Sequence, residues 1–299
     1  MFVTEYFKIP KGHQNIDFVD ININGDTPLF IDPCLIEVGD DAFCENAFET
    51  MQDYFDCLYK LYREHKSTAD KLKMFSHAHE INDTKMGYGS GNNGKAKTAE
   101  GMLEALSDLQ KLVDAGIPIS KAIDIPIFMK DFAEDCMSDM ITNIIYDKLN
   151  KFTIEQCEKY GVEPQRVGKK NYFWDKETHD WCEYKCEGLI IDGKQILLIP
   201  KGIVRKRYYY DVEQYFQSVI LEKMQKEQTV LTDDGKEDKP SKKQIKKELL
   251  RSYSDILDIS TNETMSTPDL LDVHHNRLEL AYKERGMSDE ALDQLLYTI

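Results

Sequence analysis

The stretch Leu189-Ile190-Ile191-Asp192-Gly193-Lys194-Gln195-Ile196-Leu197-Leu198-Ile199-Pro200 decides the fold class. Two apolar runs of strand length flank Asp192-Gly193, a pair that readily supplies the two positive-φ residues of a tight hairpin turn. Just upstream, Tyr172-Phe173-Trp174 and Trp181 to Cys186 flank a polar turn, which predicts a second antiparallel pair. Antiparallel hairpins need no crossover helix, so the helices around them form a separate layer.

Outward from this β region the periodicity changes from two to about three and a half. Phe43, Ala47, Met51, Phe55, Leu58 and Tyr62 recur three or four apart, so residues 41–75 read as one long amphipathic helix or a helix pair. Met102, Leu103, Leu106, Leu109 and Leu112-Val113 mark a helix from Ala99 that stops at Gly116-Ile117-Pro118. Ile141, Ile144-Ile145 and Leu149 form the next stripe. Thr153 and Gln156 have capping-box spacing, so a further helix is expected to begin at Thr153 and to end at Gly161. Downstream, Val212 to Gln228 is helical, Thr229 to Lys239 is charged and rich in breakers, and Ser241, Thr267-Pro268 and Ser288 open the last helices. At the other end, Ile16, Phe18, Val19, Ile21 and Ile23 precede Asn24-Gly25 and Leu29-Phe30-Ile31, which predicts one more hairpin. The expected architecture is α+β: a mainly helical body with two small antiparallel β-hairpin sheets and a helical C-terminal appendage. The divisions fall at 1–228 for the main α+β domain, 229–240 for a mobile linker and 241–299 for the helical C-terminal segment.

With 299 residues, 41% of them hydrophobic, the chain can bury a large core. No apolar run approaches the roughly 18 residues of a membrane span, and no secretory leader is visible, so no membrane partner is expected. Seven scattered cysteines without a Cys-x-x-Cys pair read as reduced thiols of a cytoplasmic protein. The net charge of −16 is uneven: residues 1–160 carry −12, residues 161–251 carry +3 and residues 252–299 carry −7. An acidic surface repels nucleic acid, so an anionic ligand belongs with the middle segment and its run Lys201-Gly202-Ile203-Val204-Arg205-Lys206-Arg207.

Several constellations could carry chemistry. Gly87 to Thr98 is a glycine-rich loop in which Gly89, Gly94 and Lys95 fit G-x-x-x-x-G-K. Ala96 replaces the Mg²⁺-binding hydroxyl and no apolar strand precedes the loop, which argues against a nucleotide-hydrolysing P-loop and leaves a flexible loop that orders on an anionic ligand or a solvent-exposed connection. Before it stands Ser76-His77-Ala78-His79-Glu80, whose two histidines diverge if they lie on a helix. Asp131, Glu134, Asp135 and Asp139 form an acidic cluster. Asp135 and Asp139 are one turn apart on one helix face, Asn143 continues the row, and such carboxylates suit a hard cation or acid–base work. Glu183-Tyr184-Lys185 has the E-x-K form of restriction-type nucleases, with Asp175 and Asp180 as candidate partner acids. Lys201, at a strand end, is the alternative lysine, with Arg205 to Arg207 as phosphate ligands. His179, Cys182 and Cys186 lack a fourth zinc ligand nearby and read as ordinary buried groups.

Three blocks resemble an uncharacterised bacterial family associated with mobile elements and phage-defence loci. They are Glu80-Ile81 leading into the glycine loop, Glu134 to Ile145, and Ile196 to Arg205; with Leu29-Phe30-Ile31-Asp32-Pro33 the similarity spans about residues 14–250. The resemblance implies a bacterial cytoplasmic protein of antiviral defence, and it favours Glu80, Asp139, Asn143, Lys201 and Arg205 over Glu183. A helix-borne Asp139 departs from the strand-borne acid of restriction-type folds. The resulting expectation is a metal-dependent phosphodiesterase, a nuclease-like defence effector. Asp139, Lys201 and Glu80 are its catalytic residues, Asp135 and Asp139 hold Mg²⁺, and Arg205, Lys95, Gly94 and Asn143 hold phosphate. Nucleic acid and a protein from the same defence operon are the expected partners. The alternative is a non-catalytic sensor or adaptor that recognises a phage protein, nucleic acid or nucleotide.

Overall fold

A computed structural model describes residues 1–79, 81–87, 98–129, 132, 134–250, 255–282 and 286–298. The chain is α+β with a mainly helical body, small antiparallel sheets of two or three strands and a helical C-terminus. The expected helix pair is present as Ala42–Arg63 and Thr68–Phe75. Asp41 and Ser67 cap their first turns by accepting from Cys44 N and Asp70 N. The apolar stripe of the long helix, including Tyr54, Phe55, Leu58 and Tyr59, is buried.

The β region also follows its local signals. Asp192 and Gly193 both have positive φ, and the strands Glu187–Ile191 and Lys194–Ile196 pair across that turn. Gln165–Arg166 adds a short third strand to this sheet. Asn171–Asp175 pairs with Asp180–Tyr184 in an aromatic hairpin whose Trp174 and Trp181 pack on Tyr54 of the long helix, with ring centroids 5.0 and 5.7 Å away.

Two local expectations are overruled by long-range packing. The N-terminal hairpin at Asn24-Gly25 does not form. Ile16, Phe18, Val19, Ile21 and Ile23 are all buried, so the run has no solvent face to alternate against, and Val19 N and Lys201 N bond across to Ile199 O and Asp17 O. Phe30–Ile31 pairs instead with Val204–Arg205. Thr153 does not open a helix, because Tyr146–Lys159 runs through it. Its buried hydroxyl donates to Leu149 O and accepts from Leu198 N, tying this helix to the stretch after the β-turn. Gly161 does follow the helix end with φ 67°. Within residues 229–240 a small exposed ladder pairs Val230–Leu231 with Glu237–Asp238.

The later helices pack on the body through buried polar groups. Tyr215 and Thr264 share a hydroxyl hydrogen bond of 2.8 Å, and His275 Nε2 meets Asp124 Oδ1 at 2.6 Å. The helix Asp289–Tyr297, capped by Ser288, docks on the N-terminal region. His13 is fully buried; its Nε2 accepts from Asp20 N, so Nδ1 carries the proton and donates to Asp293 Oδ1 at 2.5 Å. Tyr297 donates to Asp20 Oδ2 at 2.6 Å. No helix among the described residues is long and apolar enough to cross a membrane.

Candidate functional site

The acidic helix Glu134–Ile144 is held by its apolar side. Met137, Met140, Ile141 and Ile144 are buried, and Ser138 Oγ accepts from Ile31 N at 3.0 Å. This fixes the rotation of the helix and leaves Asp135, Asp139 and Asn143 half-buried in one row. Eight residues separate the ends of that row, about 12 Å along the helix axis.

His79 and residues 81–87 lie beside this row, with the chain direction opposite to that of the helix. At one end Asn143 Nδ2 donates to His79 O at 2.7 Å, and also to Asp139 O at 2.9 Å. At the other end Gly87 lies against Asp135: a Cβ there would sit 2.6 Å from Asp135 Oδ1, and its φ of +122° independently disfavours a side chain. Gly87 N and Thr27 N bond to Thr27 O and Lys85 O, which pins the segment to the body. Asp139 lies between these two fixed points. Glu80, Gly94 and Lys95, and Asp131 of the acidic cluster, lie outside the described residues.

A cavity of about 190 Å³ opens at the Asn143 end of the row, lined among others by His77, His79, Asn143, Lys169, Lys170 and Tyr172. His77 does not sit on the helix expected for it. The helix stops at Phe75, and His77 stacks on Tyr172 with centroids 3.6 Å apart, so both histidines face this one cavity. Burial and the neighbouring His79 hold the His77 pKa below the usual imidazole value, which keeps its ring neutral. Lys169 Nζ binds both oxygens of the buried Asp83 at 2.5 and 2.6 Å, and Lys170 pairs with Glu183 at 3.0 Å. Sequence reasoning missed Lys169-Lys170; the only signal was the positive balance of the 161–251 segment. Glu183, of the E-x-K triplet, is exposed and engaged by Lys170.

The two cations of the Ile196–Arg205 block have other partners. Lys201 Nζ donates to His13 O at 2.6 Å and pairs with Asp289 at 2.7 Å. Arg205 is 5% exposed, with its guanidinium 4.6 Å from the ring centroids of both Tyr209 and Tyr282 and its Nε 3.4 Å from Asp32 Oδ2. Asp32 also accepts from Tyr210 Oη at 2.7 Å and from Cys34 N at 2.9 Å. Full burial outweighs these contacts and raises its carboxyl to about 6. This buried cluster adjoins the acidic helix through Tyr208, which donates to Ile31 O and stacks on Tyr210. Burial, together with the charges of Asp32, Glu134 and Asp139, holds Tyr208 firmly protonated. Asp135, Asp139 and Asn143 are therefore brought together beside 79–87. Arg205 stands behind the adjacent strand, and Lys201 is turned toward the C-terminal helix.

No curated protein and no solved structure matches the chain. A family model does match over residues 8–211, from the N-terminal region through the acidic helix and both hairpins to the Asp32–Arg205 cluster. With more than half of its length matched, the chain belongs to the family described as a domain of unknown function, DUF8370.

Proposed function

We propose that the protein is a Mg²⁺-dependent phosphodiesterase acting on nucleic acid, a nuclease-like effector of antiphage defence in the bacterial cytoplasm. The observation that carries this reading is the apposition of the Asp135–Asp139–Asn143 row with His79 at one end and Gly87 at the other, which opens the glycine-rich loop. Two carboxylates one helical turn apart offer the hard oxygen donors Mg²⁺ prefers, and the Asn143 carboxamide oxygen beside them can add a third. Bound there, Mg²⁺ would neutralise the phosphate and activate water. Asn143, anchored through its Nδ2, keeps its Oδ1 as an acceptor for a ligand donor. Lys169 and Lys170 line the cavity beside Asn143, and a polyanion entering there would draw them from their present partners Asp83 and Glu183. The defence setting rests on the resemblance of the three sequence blocks.

The test is cleavage of supercoiled plasmid and of single-stranded RNA with Mg²⁺ against the same reaction in EDTA. Asp139→Asn is expected to lower the rate at least about a hundredfold while melting as the wild type does, and Asp175→Ala to leave it unchanged. Cleavage that survives EDTA or Asp139→Asn refutes the proposal. A second reading, a non-catalytic sensor or adaptor, is favoured by the engagement of Lys201 and Arg205 in ion pairs with Asp289 and Asp32. It predicts salt-dependent nucleic-acid binding with no turnover under any metal.

A further inference from the structure

On the far side of the long helix, the turn of the aromatic hairpin meets a different set of side chains. Asp53 and Cys57 are one helical turn apart, and His179 reaches them from the turn between the two strands, with its own φ at +51°. One ligand atom from each of the three lies within 4.8 Å of the others. His179 Nδ1 stands 2.9 and 3.0 Å from the two Asp53 oxygens. That is a few tenths short of the roughly 3.3 Å between nitrogen and oxygen ligands on a tetrahedral zinc.

We propose that Asp53, Cys57 and His179 bind a divalent cation of the zinc class, with the fourth coordination position open to the adjoining cavity. The donor set chooses the metal. A thiolate, an imidazole and one carboxylate match a borderline-soft ion at low coordination number, and they exclude Mg²⁺ and Ca²⁺, which require oxygen shells. The surroundings are those of a positioned site. Trp174 Nε1 donates to Asp53 Oδ2 at 2.7 Å, the outer-sphere bond that fixes a ligating carboxylate, and Trp174 is itself buried against Tyr54 and Trp181. The hairpin is thereby locked on the helix, so His179 is delivered to the same place each time. Burial, with the charges of Asp53 and Asp56, raises the Cys57 thiol above its usual range, so the arriving cation itself has to displace the proton. The cavity, about 380 Å³, is lined by Cys57, Trp174 and His179 on this side and by Lys60, Lys73 and Asp180 beyond, so a small anionic or neutral ligand could reach the open position. An ion pair that merely pinned the hairpin would need His179 and Asp53 alone. On binding, the Cys57 thiol releases its proton to solvent, His179 Nδ1 gives up its proton to solvent while the imidazole stays neutral with a proton on Nε2, and the His179–Asp53 hydrogen bond is exchanged for two bonds to the metal.

The experiment is a Co²⁺ and Zn²⁺ titration of the full chain after chelator treatment. One equivalent of Co²⁺ is expected to give a tetrahedral ligand-field spectrum with a thiolate-to-metal charge-transfer band, and Zn²⁺ to displace it and raise the melting temperature by several degrees. Cys57→Ser removes the charge-transfer band, and His179→Gln weakens binding tenfold or more; both keep Asp53, and with it the Trp174 anchor. Cys186→Ser, in the same hairpin region, leaves spectrum and affinity unchanged. A charge-transfer band that persists in Cys57→Ser, or the absence of stoichiometric binding by folded wild-type protein, overturns the assignment. Because this site and the acidic helix use different residues and metals, failure here leaves the Mg²⁺ test of the acidic helix independent.

Discussion

Replacing Arg205 by alanine separates a buried structural arginine from a surface phosphate ligand. At pH 7 the Asp32 carboxyl, raised from 3.8 to about 6, is mostly ionised, and holding it so in the fold costs about 3 kcal/mol relative to the unfolded chain. Without the guanidinium the carboxyl would take up a proton, and keeping an aspartate neutral at pH 7 costs about 4 kcal/mol on the same reference. The ionisation part of the loss is therefore capped at about 1 kcal/mol. Two ring faces at 4.6 Å add about 1 kcal/mol each, and the lost packing of the arginine stem adds about as much again. Arg205→Ala is expected to destabilise by about 3–5 kcal/mol, the range seen when one partner of a buried pair is removed. The pH dependence has a definite sign. A carboxyl raised in the fold stabilises it fully below about pH 4, and that contribution is lost as pH rises through about 6. Below pH 5 Asp32 is neutral in both proteins, so the gap between wild type and variant should narrow by about 1 kcal/mol. Urea unfolding followed by far-ultraviolet circular dichroism at pH 7 and pH 5 measures both quantities. A loss under 0.5 kcal/mol at pH 7, the behaviour of an exposed side chain, refutes the structural role.

Three further outcomes are expected. Gly87→Ala, strained by its φ and by Asp135 at 2.6 Å, should cost about 1–3 kcal/mol in thermal unfolding and should lower any Mg²⁺-dependent activity more than stability alone explains. His274 is buried and its pKa lowered to about 4, so its contribution is present above pH 6.5 and lost as pH falls toward 4. His274→Asn should flatten the acid limb of the stability profile. Asp289→Asn with Asp293→Asn should raise amide exchange of residues 289–297 at least about tenfold, with Glu134–Ile144 unchanged, because the charge-assisted contacts to Lys201 and His13 go with them.

Features set by neighbours in sequence were legible before any coordinates. The Asp192-Gly193 turn and the helix starts at Ser241 and Ser288 each depend on residues within four positions, and each forms. Thr153 and Asn24-Gly25 carry equally good local signals, but there burial dominates: the Thr153 hydroxyl serves Leu198, and the strand after Asn24-Gly25 finds Val204 and Arg205 more than 170 residues away. The same division runs through the candidate site. Helical spacing alone puts Asp135, Asp139 and Asn143 on one face. Spacing carries no information that 79–87 would lie along that face, that Lys169-Lys170 would line the cavity beside it, or that Asp32 and Asp289 would engage the two cations of the Ile196–Arg205 block. The cluster of Asp53, Cys57 and His179 was likewise out of reach, because 122 residues separate Cys57 from His179.

The clasp between the N-terminal turn and the Asp289–Tyr297 helix has a consequence for biosynthesis. His13 takes its carboxylate partner from Asp293, some 280 residues further along the chain, and Asp20, already held by Thr4, takes a phenol from Tyr297. While the ribosome is still translating the intervening stretch, the His13 amide and Nδ1 wait without the Asp293 carboxylate. Nascent chains stalled before residue 289 should therefore be nicked by protease near residue 13, and chains stalled far enough beyond residue 297 for that helix to emerge should resist it.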